Sequence, residues 1–170
     1  MQSRFILVEP SAAQQAEFLA MAAEYALIGD LRYQAGLSDF AGYLQRLHDF
    51  ARGENLPPDR VRETAYWGVD DGLIIGSIRL RHSLTAALRQ MGGNIGYDVR
   101  PSKRGQGYGT ALLALTLERA RSFGLSGVLI TCDVVNLASV RVIEKNGGRL
   151  ISQGRVDGYA KLVARYWVDL

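Results

Sequence analysis

The stretch from Val99 to Thr110, Val-Arg-Pro-Ser-Lys-Arg-Gly-Gln-Gly-Tyr-Gly-Thr, joins a strand-like run to a long helical one through a loop rich in glycine and positive charge. Glycines at 105, 107 and 109 remove the Cβ atoms that would hold a ligand off the backbone. The N–H groups opening the next helix can then converge on an anion, with charge added by Lys103 and Arg104. The segment predicts a phosphate cradle and a phosphorylated cofactor. As a bare pattern, Arg/Gln-x-x-Gly-x-Gly/Ala is not specific. Gln106 opens an overlapping copy ending at Ala111, and Arg155 to Ala160 is another that runs into a strand-like segment. Only Arg104 to Gly109 falls between a strand and a helix, where a phosphate-binding turn must lie. The bland alternative is a tight strand-to-helix connection without a ligand.

The 170 residues are one domain's worth, enough to bury a core without disulfides or metals. The lone Cys132 excludes an intramolecular disulfide, and two histidines and one cysteine without ligand spacing offer no metal site. No apolar run approaches the roughly 20 residues needed to span a bilayer, and the amino terminus lacks the pattern of a signal peptide, so a cytoplasmic protein is expected. Twenty Lys and Arg against 17 Asp and Glu leave a net charge of +3, with both signs scattered. That suits a small anionic ligand better than a nucleic-acid track or a membrane surface.

Ser3 to Val8 reads as a first strand, and Ser11 with Gln14 forms a capping-box signature before a helix over Ala12 to Ile28. A second helix is expected from Ser38 as N-cap, with Phe40, Tyr43, Leu44, Leu47 and Ala51 at helical spacing, closing at Gly53. Thr64 to Val69 and Leu73 to Leu80 read as strands joined by the hairpin signal Asp70-Asp71-Gly72, and Ile95 to Val99 as a third. A helix over Tyr108 to Phe123 stops at Gly124. Val128 to Cys132 is a buried strand, Asn136 caps a short helix running through Ile143 to Lys145, and Ile151 to Arg155 and Leu162 to Asp169 close the fold. The order is strand, two helices, three strands, helix, strand, helix, two strands, an α+β arrangement without a repeat or linker.

These residues resemble the GCN5-related N-acetyltransferase (GNAT) superfamily. The carrying motifs are Arg104-Gly-Gln-Gly-Tyr-Gly109 and the later Asn136-x-x-Ser139 with Glu144-Lys145-x-Gly147. More narrowly, Arg79-Leu-Arg-His82, Gly92-Gly93-x-Ile-Gly-Tyr97, Val99-Arg-Pro-Ser102 and Ile130-Thr-Cys-Asp133 look like a bacterial subgroup of acetyltransferases. The likeness covers about residues 62 to 170, and residues 1 to 60 match in layout only. It implies a mostly antiparallel twisted sheet of about seven strands flanked by about four helices. It implies acetyl-CoA as acyl donor, held by Val99, Arg104, Gly105, Gln106, Gly107, Tyr108, Gly109, Thr110, Asn136 and Ser139. A splay between the strand ending at Val99 and the strand Val128 to Cys132 is likewise implied, leaving an N–H free for the thioester oxygen.

The implied activity is transfer of an acetyl group to a primary amine of a small molecule or protein, by direct attack in a ternary complex. Asp98, beside the cradle, is the candidate base, against a solvated strand carboxylate. His82 at a strand end is a weaker one, and Asp133 reads as an acceptor for the turn leading to Asn136. Asn94 stands where the subgroup has histidine. Ile143 stands where many members carry a tyrosine that protonates the departing thiolate, and helical geometry turns it toward Asn136 and Ser139, or else into the core. Cys132 reads as packing, and a covalent intermediate is rejected. Tyr66-Trp67 and Tyr166-Trp167 read as core aromatics, with a pocket wall as the alternative. The runner-up function is a catalytically silent sensor of acyl-CoA. The acceptor amine is expected to be chosen by the first two helices and the hairpin near Gly154 to Tyr159, and a monomer or a homodimer both stay open. Gly107→Val or Gly109→Val is expected to spoil cofactor binding while folding survives.

Overall fold

The change of period along the sequence becomes a single seven-stranded sheet in the computed structural model, which describes residues 5–170. Its strands are β1 (Ile6–Val8), β2 (Glu63–Asp70), β3 (Leu73–Arg81), β4 (Ile95–Val99), β5 (Gly127–Asp133), β6 (Arg149–Gly154) and β7 (Val163–Asp169). They lie in the order β1-β2-β3-β4-β5-β7-β6, antiparallel except where β4 runs beside β5. The Asp71-Gly72 turn of the β2–β3 hairpin takes left-handed angles at both residues, as a two-residue hairpin of the right twist demands. Ser3 lies outside the described residues, so the first strand is seen only from Ile6.

Four longer helices flank the sheet: α1 (Gln15–Leu27), α3 (Phe40–Arg52), α5 (Tyr108–Ser122) and α6 (Leu137–Lys145). Two five-residue helices, α2 (Gln34–Ser38) and α4 (Ala86–Gln90), are additional to the sequence reading. Ser38 is therefore the end of one helix and not the cap of the next. Asp39 is that cap, its carboxylate accepting from the N–H of Gly42. Gln14 does reach back to the Ser11 N–H, although Ala12–Gln14 is a tight 3-10 turn that leads into α1.

Neighbouring aromatics on β2 part to opposite faces. Tyr66 joins Ile78, Leu80, Leu112, Leu113, Ile130 and Tyr166 in a core beneath α5 and α6, while Trp67 joins Phe18, Met21, Tyr25 and Phe40 beneath α1 and α3. Tyr66, Trp67 and Tyr166 are thus core, as their strand positions suggested, whereas Trp167 is half-buried outside both cores and its indole N–H donates to Asp169.

Ile143 belongs to the first of these cores. It is fully buried, and a Cβ at Gly148 would collide with its side chain. The expectation that position 143 faces the cofactor is corrected: α6 turns Val142 and Ser139 toward the cleft and Ile143 toward the sheet.

Candidate active site

The cradle is built by backbone conformation. Gly105 and Gly107 hold φ of 75° and 87°, a region that favours glycine, and a Cβ at either would meet nothing within 4 Å. Among the described residues, none of the N–H groups from Gly105 through Gly109 finds an acceptor; the first taken is that of Thr110, by the Gly107 carbonyl. They open α5 with its positive dipole end toward a cleft of about 590 Å³. Lys103 and Arg104 line this cleft, and so do Arg141 and Lys145, one turn apart on α6.

Of the residues expected to hold the cofactor, Val99, Arg104, Gly105, Gly107, Tyr108, Gly109, Thr110, Asn136 and Ser139 line the cleft. Gln106 does not. Its amide turns back to donate to the Ser102 carbonyl. Tyr108 contributes backbone at the helix start, while its ring packs against Phe5 and its hydroxyl donates to Asp70. Gly109 differs from its neighbours, because an added Cβ would come within 3.2 Å of Val142 Cγ2. Its lack of a side chain lets α5 approach α6, so a side chain there would press on Val142 as well as on the cradle.

The loop before the cradle is pinned by α1. Glu24 accepts from Arg100 Nε at 2.6 Å and from the Ser102 N–H at 3.0 Å, and Arg100 also reaches Glu17 at 3.3 Å. Burial pushes the Glu24 carboxyl up, but Arg100 and Ser102 outweigh it and hold the group below the ordinary carboxylate range.

Strands β4 and β5 meet in register only at Ile95 and Ile130 and then part. Their contact is sewn at its start by Asn94, whose N–H donates to the Leu129 carbonyl, whose Oδ1 accepts from the Leu129 N–H, and whose Nδ2 donates to the Arg81 carbonyl. Gly93 can have no Cβ there, since one would strike the Leu129 carbonyl. Asn94 is a structural bridge between three strands. Inside the opening Tyr97 shares a hydrogen bond of 2.7 Å with the Ser139 hydroxyl, and burial pushes the phenol up to about 12. Asn136 caps α6 by accepting from the Ser139 N–H, and its side chain lines the opening. Half-buried Cys132 packs beside Ser139, its thiol pushed up by burial.

Asp98 points to the opposite face of the sheet from Tyr97 and Val99. Its carboxylate accepts from Tyr25 at 2.6 Å and from Tyr33 at 2.8 and 2.9 Å, with Arg32 Nη1 at 3.4 Å. Burial, then the facing Asp98 charge, raise both phenols, so they remain protonated donors at neutral pH. Asp98 and Arg32 line both the cofactor cleft and a second cavity of about 400 Å³ between α3 and the sheet. The other candidates lie elsewhere. His82 bonds to Thr64 Oγ1 at 2.8 Å and sits edge-on to Phe123, outside every cavity described. Asp133 does not serve the turn to Asn136 through its side chain; that carboxylate accepts from Tyr159 and from Lys161, tying the β6–β7 connection to β5. Sequence reasoning missed the partners of Asp98, because Tyr25 on α1 and Tyr33 in the turn before α2 lie 73 and 65 residues away.

A mixed sheet with one diverging parallel pair, entered beside a basic glycine-opened helix start, is the arrangement that the resemblance to the acetyltransferases implies. The sequence model of the acetyltransferase (GNAT) domain matches residues 4–149, and the chain belongs to that family. Similar solved structures include Mycobacterium smegmatis RimJ in complex with CoA-disulfide, with TM-score 0.74, 18% identity, 98% of this chain and 85% of that chain covered. RimL, a ribosomal L7/L12 alpha-N-protein acetyltransferase in complex with coenzyme A, has TM-score 0.72, 16% identity, and 100% and 96% coverage. The microcin C7 self immunity acetyltransferase MccE, in complex with acetyl-CoA and AMP, has TM-score 0.71, 14% identity, and 98% and 92% coverage. At these identities the likeness is one of fold. No curated protein matches the chain in sequence.

The chain carries the acetyltransferase domain of that family; acetyl-CoA is bound in the similar structures of MccE and of yncA from Salmonella typhimurium, and the cleft here fits that molecule. Open space lies over two left-handed glycines with unpartnered N–H groups beside them, and Lys103, Arg104, Arg141 and Lys145 supply charge for phosphates. Among the described residues no helix is long and apolar enough to cross a membrane, and no cluster of metal-ligating side chains occurs.

Proposed function

We propose that the chain, working as one domain, acetylates a primary amine by direct transfer in a ternary complex, with Asp98 receiving the amine proton directly or through one water. The observation that carries this reading is the position of Asp98 between the two cavities, one fitted to the acyl donor and the other open for an acceptor. Acetyl-CoA supplies an activated thioester. The chain supplies approach, orientation and a place for the proton: Val99 and the cradle hold the donor, and backbone N–H groups in the β4–β5 opening are available to the thioester oxygen. Tyr25, Tyr33 and Arg32 fix the Asp98 carboxylate against rotation. With Ile143 in the core, the reading needs no side-chain acid, since a thiol with an ordinary pKa of about 8.5 departs tolerably as thiolate.

Asp98→Asn tests the assignment at constant size. Turnover, followed as thiol release over a broad amine panel, should fall roughly 100-fold at neutral pH and recover as pH rises and free amine accumulates. A loss that does not change with pH, with melting temperature and CoA binding intact, would assign Asp98 to positioning alone. Background release for every amine by the unaltered protein, with acetyl-CoA still bound, would establish the sensor reading instead.

A further inference from the structure

The second cavity carries more charge than its acids can use. It is lined by Arg32, Arg46, Arg60 and Arg79 against Glu63 and Asp98. Both acids are engaged: Glu63 pairs with Arg81 at 3.0 Å, and Asp98 is held by the two tyrosines and Arg32. Arg46 from α3, Arg60 from the segment before β2 and Arg79 from β3 are left without an acid or an acceptor for their guanidiniums among the described residues. These three groups from separate elements face one space, walled on the other side by Tyr43, Leu47 and Phe50 of α3. The Tyr43 phenol is pushed up to about 12 by burial, so it adds a donor and no negative charge.

Register sets the spacing. Ser77 lies directly opposite Asp98, and Arg79 follows two residues along the same face of β3. At a rise of about 3.4 Å per residue this offsets Arg79 from the Asp98 position by roughly 7 Å along the strand. A ligand with its amine at Asp98 therefore extends its far end among guanidiniums, which bind carboxylates and phosphates through paired hydrogen bonds and repel cations.

We propose that the acceptor is a small amine that also carries an oxyanion, a carboxylate or a phosphate a few bonds from the nitrogen, with Arg79, Arg46 and Arg60 as its specificity determinants. This rests on the reading of Asp98 and the second cavity given above. It predicts discrimination against polyamines and aminoglycosides, whose further ammonium groups would meet unpaired guanidiniums without a counter-charge.

The test compares matched amines at one pH with saturating acetyl-CoA: L-glutamate against its diamide, O-phosphoethanolamine against ethanolamine, and spermidine. At least one anionic member should exceed its uncharged counterpart at least tenfold in kcat/KM, and which pair responds distinguishes carboxylate from phosphate. Arg79→Gln and Arg46→Gln, both at exposed positions with no acid or acceptor among the described residues, should raise the KM for that amine on the order of tenfold and leave the KM for acetyl-CoA unchanged. Equal or better turnover of the uncharged amines or spermidine would overturn the proposal, as would variants in which both KM values move together.

The same panel is titrated by calorimetry into CoA-saturated protein. Anionic amines that bind and weaken in Arg79→Gln, in a protein with no turnover, uphold the ligand class and overturn only the transferase reading. Absence of any preference for the anionic member in both assays overturns the ligand class.

Discussion

Gly107 shows how one residue ties backbone angle to chemistry. At φ of 87° with open space around it, a valine finds room and yet takes an unfavoured conformation, costing about 1–3 kcal/mol, while its branches stand over the helix start. Gly107→Val should stay folded and raise the KM for acetyl-CoA roughly tenfold or more, measured by steady-state kinetics beside a melting curve. His82 supplies a pH signature. Burial, and then the nearby Arg62 charge, lower its pKa, so the fold favours the neutral ring. The contribution is full above the unfolded value of about 6.5 and is lost as pH falls through the lower folded value, because the unfolded chain takes up the proton first. Melting temperature should therefore drop between neutral pH and pH about 5 by less in His82→Gln than in the unaltered chain. The cradle glycines were legible in sequence because left-handed angles leave few other choices. Asp98 was legible as a carboxylate beside the loop, but its tyrosine partners were not, since no local pattern links positions so distant.

Elements were legible where periodicity was strong: β2, β3, β4 and α5 fall within a residue or two of their sequence limits. The short helices α2 and α4 were not, because five residues give too few turns for a repeat to declare itself. Nor did period alone decide the face of α6. Helical geometry put Ile143 on one side or the other, and only the approach of the sheet selects the core. Ile143→Tyr should thus overfill that core and cost about 1–3 kcal/mol, seen as a lower melting temperature with no gain in turnover. The grip of α1 on the cradle predicts a different signature. Glu24→Ala takes the shortest acceptor from Arg100, which keeps Glu17 and the Ile74 carbonyl, removes the acceptor of the Ser102 N–H, and should cost about 2 kcal/mol. It should also weaken CoA binding, read by calorimetry, although Glu24 does not line the cleft.

Across the whole molecule, the order of elements along the chain followed from the changes of period, whereas the spatial order of the strands and the two cavities meeting at Asp98 arise from long-range packing that no segment encodes alone. The sheet also carries a seam. On either side of it β4 is laddered to β3 and β5 to β7, but beyond Ile95 and Ile130 the two inner strands share no partners. Isotope exchange should read this directly. The amides of Tyr97–Val99 and Thr131–Asp133 that point into the opening should trade hydrogen for deuterium quickly in the midst of a slowly exchanging sheet. Saturation with CoA should slow them selectively, making the central strands both the best protected and the most ligand-responsive part of the protein.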